Sequence, residues 1–103
     1  MKRNTDVCPV KKTMELIGSK WKMRLIDKMR DGEKRYGELK RLVPDISEKM
    51  LIQELKQLVE VGLVEKRAYP EIPPRVEYKL TDKGEKVLPI VDSIVIFGMQ
   101  VLQ

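Results

Sequence analysis

Ser47-Glu48-Lys49-Met50-Leu51-Ile52-Gln53-Glu54-Leu55-Lys56-Gln57-Leu58-Val59-Glu60-Val61-Gly62 has two unlike sides when it is wound into a helix. Leu51, Leu55, Leu58 and Val59 fall at i, i+4, i+7 and i+8, while Lys49, Gln53, Lys56, Gln57 and Glu60 gather opposite them. Ser47 is placed to cap the first turn, Glu48 follows where the helix dipole favours an acid, and Gly62 suits the position just past the end. At Leu63 the period drops from 3.6 to two. Leu63 to Tyr69 suits a strand, and Val76, Tyr78 and Leu80 alternate with Arg75, Glu77 and Lys79. Between them lies Pro70-Glu71-Ile72-Pro73-Pro74, whose three prolines cannot donate to a ladder and predict a stiff hairpin tip.

Outward toward the N-terminus, Cys8-Pro9 opens a first helix with Val10, Met14 and Ile17 at helical spacing, and Gly18 ends it. Ser19 is positioned to cap a second helix, with Trp21, Leu25 and Met29 in one row, Lys22 and Ile26 in the next, and a turn at Asp31-Gly32. Glu33 to Tyr36 has the length of a single edge strand. Gly37 precedes a short helix expected to turn Leu39, Leu42 and Val43 inward before Pro44-Asp45 closes it. Beyond the hairpin, Thr81 and Asp82 begin a final helix that Pro89 should kink or restart. No repeat or linker interrupts residues 1–103, which read as one domain. The fold class is therefore mainly α with a small β-hairpin, an α+β chain in the order of a winged helix-turn-helix domain.

Of the 103 residues 42% are hydrophobic, enough for one modest core, and 36% are charged. The net charge is +5, and residues 1–80 hold 19 basic against 13 acidic groups while the rest hold 2 and 3. That imbalance suits a polyanion facing the first part of the chain. Histidine is absent, which removes the commonest general base and metal ligand, so neither enzyme chemistry nor a metal or other cofactor is expected. A single cysteine fits a reducing cytoplasm. Met1 to Val10 lacks the apolar stretch of a signal peptide, and Ile90 to Leu102, broken by Asp92, Ser93 and Gln100, falls short of the ~20 residues a membrane span needs.

Cys8-Pro9-Val10, Ile17-Gly18-Ser19-Lys20-Trp21, Arg35-Tyr36-Gly37-Glu38-Leu39, Ile46-Ser47 with Leu51, Gly62-Leu63-Val64, and Pro70 through Tyr78 with Leu80-Thr81 together resemble the HxlR-type regulators. The resemblance spans nearly the whole chain. It implies a MarR-like winged-helix dimer that represses or activates transcription by binding double-stranded DNA. On that reading Ser47, Lys49, Met50 and Gln53 face base edges in a major groove about 12 Å wide, and Lys56 holds phosphate. Arg75 is expected to project from the wing into a minor groove, with pairing to Glu71 or Glu77 as the alternative. Lys34, Arg35, Lys40 and Arg41 are candidate phosphate contacts, or ordinary solvating charge.

In the final helix Val87, Ile90, Ile94, Phe97 and Val101 form one stripe and Leu88, Val91, Val95, Gly98 and Leu102 another. A chain this small can hardly cover both, so Val91, Ile94, Val95, Gly98 and Leu102 are expected at a homodimer interface, and a twofold dimer predicts an inverted-repeat operator. Whether the native helix continues past Gln103 stays open. Cys8, at a helix N-terminus and followed by Lys11 and Lys12, matches the position of a sensing thiol in some HxlR-type members, which would make an oxidant, an electrophile or another small molecule the effector; an inert, buried thiol is the alternative. A winged-helix module binding protein instead of DNA is the competing function, and RNA is disfavoured because Trp21 and Phe97 fall in apolar rows.

Overall fold

The computed structural model describes residues 8–102. Pro9–Ile17 (α1) and Lys22–Lys28 (α2) lead to a two-residue strand, Lys34–Arg35 (β1), and then to Tyr36–Leu42 (α3) and Glu48–Glu60 (α4). The hairpin is Val64–Tyr69 (β2) and Arg75–Leu80 (β3), followed by Asp82–Glu85 (α5) and Leu88–Val101 (α6). β3 lies at the centre of an antiparallel sheet in the order β1-β3-β2, with Lys34 opposite Tyr78 and Lys66 opposite Tyr78 from the other side. The edge-strand reading of Glu33 to Tyr36 thus reduces to two residues, and the hairpin runs as expected.

Local chemistry sets most boundaries. Pro9 stands in the first turn of α1, and Ser19 Oγ accepts the Lys22 N–H at 2.9 Å as α2 begins. Ser47 Oγ accepts the Met50 N–H at 3.1 Å, and Gly62 takes φ +80°, the left-handed region that lets the chain leave α4 and enter β2. Pro89 restarts the helix: the expected single terminal helix is two, α5 and α6. α5 is fastened to the α4–β2 junction, since the Thr81 hydroxyl donates to the Gly62 carbonyl at 2.6 Å and Lys83 Nζ donates to the Val61 carbonyl at 2.9 Å. Gly84 lies so close to the Leu63 carbonyl oxygen that a β-carbon there would overlap it.

One core collects Leu25 and Ile26 of α2, Leu39 of α3, Leu51, Leu55 and Leu58 of α4, and Leu63, Val64 and Leu80 of the sheet. At roughly 1.5 to 3 kcal/mol for each fully buried side chain, the three α4 leucines fix which side of that helix faces inward. Two expectations are corrected, those for Leu42 and Val91, and the third, for Lys22, holds in an unexpected form. Leu42 is 42% exposed, because α3 ends at that residue and Leu39 and Val43 already occupy the inward positions. Lys22, placed by its spacing in an apolar row, is buried as a charged residue. Val91 is 6% exposed and packs with Val87 into the subunit's own core, so it is unavailable to a partner.

Candidate nucleic-acid interface

With α4 seated by its leucines, the opposite side is presented outward. Lys49, Gln53 and Lys56 are exposed, as is Ser47, whose hydroxyl already serves as the cap. Met50 is half-buried and packs against the core, leaving less of it for a base contact than its spacing suggested. Ile52 is 59% exposed, three residues after Lys49 and four before Lys56, and therefore shares their face. It was missed from sequence, although an isoleucine off the Leu51/Leu55/Leu58 row was the available signal. A groove of about 310 Å³, lined by Ile52, Leu55, Lys56, Val59 and Lys66 with Tyr78, separates this face from the sheet.

Two ionic contacts from α2 hold the helix-turn-helix. Lys22 Nζ donates to Glu54 Oε2 at 2.5 Å and to Gln57 Oε1 at 2.6 Å, inside the structure. Gln57, read as part of the solvated side, is thus engaged inward. Arg24 grips Asp45 in the α3–α4 turn with two bonds of 2.8 and 2.9 Å, and this guanidinium holds the Asp45 carboxyl down to about 2. Lys20 and Arg24 both lie over the Trp21 ring, 4.8 and 5.2 Å from its centre.

The cations around α3 differ in availability. Arg35 and Arg41 are exposed; the Arg35 backbone N–H donates to Glu38 at 3.0 Å and so caps α3. Lys34 Nζ is bound to Asp31 at 2.9 Å, and Lys40 Nζ donates to the Pro44 carbonyl at 3.1 Å, so both heads are turned to the protein. On the wing Arg75 makes the pairings that the alternative reading gave it. Its guanidinium sits 4.1 Å over Tyr69, with Glu71 at 3.3 Å and Glu77 at 3.5 Å, instead of projecting from the tip. Its covered Nε nevertheless makes no hydrogen bond among the described residues. Arg67 and Lys66, which the sequence reading passed over, are exposed on β2; Arg67 pairs with Glu65 at 2.8 Å.

Residues 16–103 match the HxlR-like helix-turn-helix family. The chain belongs to that family. An HTH-type transcriptional regulator of Methanothermobacter thermautotrophicus, itself uncharacterised, is 41% identical over 92 residues, covering 89% of this chain and 70% of that protein. A crystal structure described as a MarR-family regulator from Porphyromonas gingivalis W83 superposes with TM-score 0.89 at 53% identity, covering 98% of this chain and 99% of the other. The redox regulator HypR in its oxidised form is similar at TM-score 0.86 and 41% identity, over 90% of this chain and 96% of that one. The fold is thus the winged helix-turn-helix of HxlR-like transcriptional regulators, as the motifs implied.

Two further features of this HxlR-like chain lie outside α4 and the wing. On α6, Ile94, Val95, Ile96, Phe97, Met99, Val101 and Leu102 are all about half exposed or more, and a β-carbon at Gly98 would meet only the Leu102 side chain among the described residues. Cys8, at the N-cap of α1, is exposed in the subunit described. No helix among the described residues is long and apolar enough to cross a membrane.

Proposed function

We propose that the chain reads a specific duplex site as a homodimer, with α4 as recognition helix. The observation that carries this reading is that Lys49, Gln53 and Lys56 are exposed on one face of a helix whose other face is locked into the core. Gln53 suits adenine through two hydrogen bonds and Lys49 suits the guanine acceptors; Lys56 sits where phosphate passes, and Ile52 offers apolar contact to a thymine methyl. Arg35 and Arg41 are the free phosphate contacts near α3. Lys34, Lys40 and Arg75 reach DNA only by giving up the partners they hold.

Homodimerisation rests on α6. Ile94 at 48%, Phe97 at 61% and Leu102 at 82% exposure form an apolar surface of a kind that monomers rarely present beyond ~300 to 600 Å². Pairing through Ile94, Val95, Gly98 and Leu102, with Phe97 added and Val91 removed from the expected set, places two α4 helices about 34 Å apart and calls for an inverted repeat. Cys8 is the sensor position in this reading, supported by its exposure and by the similarity to HypR, a redox regulator. Oxidation or alkylation there is expected to change operator affinity.

Selection of bound duplexes from random DNA at two salt concentrations tests the whole. An inverted repeat should emerge, with affinity falling roughly 10³ to 10⁵ between 50 and 200 mM salt if six to ten phosphates are held. No enrichment would leave a protein-interaction module as the function. Unchanged affinity after complete modification of Cys8 would remove the sensor alone.

A further inference from the structure

The geometry points to Lys22 and Glu54 as a buried pin that sets the rotation of α4, and so the aim of Lys49, Gln53 and Lys56; this rests on α4 being the recognition helix. Lys22 is 8% exposed and Glu54 5%, and they are the two charged residues that are buried among the described residues. They come from α2 and α4, 32 positions apart in sequence, and their atoms meet at 2.5 Å with Gln57 completing the contact at 2.6 Å.

Stability alone does not account for such a pair. Taking two charges out of water costs about as much as their attraction returns, and apolar replacements of similar volume are often neutral or stabilising. What the pair supplies is direction. Leu51, Leu55 and Leu58 select the inward side of α4, but apolar contact is non-directional and tolerates small rotations. An ammonium held between a carboxylate and an amide does not. Glu54 follows Gln53, and Gln57 follows Lys56, so fixing the inner residues fixes the outer ones at the helical angle of about 100° per residue. On a helix about 10 to 12 Å across, a 20° roll moves the outward tips by roughly 2 Å, enough to break a base-edge hydrogen bond.

The test compares the full chain with the double variant Lys22→Met, Glu54→Leu. Thermal melting should be unchanged or higher, and binding to a scrambled duplex should stay near wild type, because phosphate contacts tolerate the roll. Preference for the selected site over the scrambled one is expected to fall on the order of tenfold, the discrimination carried by about one base pair. Residual dipolar couplings of the α2 and α4 amides, measured without DNA, should report a shifted or broadened rotation of α4 about its own axis relative to α2, read from the phase of their helical periodicity. Unchanged couplings, an unfolded variant, or equal loss of affinity for both duplexes would each overturn the pin. A wild type that selects no duplex would sink the DNA reading, whereas the couplings judge the pin independently of it.

Discussion

Asp45 shows how one side chain fastens the helix-turn-helix. Its folded-state value, about 2, lies below the ordinary 3.8 because the Arg24 guanidinium stabilises the carboxylate. The pair therefore adds stability that is fully present above 3.8 and is lost as pH falls through 2. Asp45→Asn should melt below wild type near neutral pH, with the gap closing as the solution is acidified and narrowing in high salt, since both partners are solvent-accessible. Gly84 is constrained by space instead of charge. A methyl group would meet the Leu63 carbonyl, so Gly84→Ala is expected to cost about 1 to 3 kcal/mol in urea unfolding.

At the scale of elements, the two parts of the fold proposed to face DNA are prepared differently. α4 presents its contacts free, so Gln53→Ala should cost about 1 to 3 kcal/mol at one base position, while Lys56→Ala should weaken all duplexes alike and lower the salt slope by about 1. Direct titration against the selected duplex and its single-base variants separates the two. The wing holds Arg75 against Tyr69, Glu71 and Glu77, and a minor-groove contact has to break those pairs first. Glu71→Gln should therefore tighten DNA binding by up to about fivefold, the equivalent of one exposed ion pair. A weakened or unchanged affinity would assign Arg75 to holding the hairpin together.

For the molecule as a whole, α6 is joined to the rest of the fold through charge as well as packing. Arg30, in the turn just past α2, reaches Asp92 of α6 at 2.6 Å and Asp27 of α2 at 2.9 Å, an ionic link between the two helices. Phe97→Glu places a charge in the middle of the exposed apolar surface without touching the core. Sedimentation should show it as a folded monomer, and its affinity for the inverted repeat should fall by about 100-fold or more, because two half-sites no longer bind as one unit.

Sequence by itself determined the order of elements, the inward row of α4, its Ser47 cap, the Gly62 exit and the exposed Lys49, Gln53 and Lys56, because helical period, capping and turn chemistry act within a few residues of one another. It also placed more apolar surface on α6 than one subunit covers. Only the tertiary structure decided which of that surface remained: Val91 went inward because α6 packs against α2. Likewise, Lys22 read locally as a member of an apolar row and Glu54 as one more helix-surface glutamate, with nothing to join them, and pairing of Arg75 to Glu71 or Glu77 stood as one of two readings. The partner of Lys22 arrives from another element, and no local pattern encodes a contact between residues 32 positions apart. The long side chains of charged residues bury or expose their ends according to what stands beside them, which the fold alone supplies.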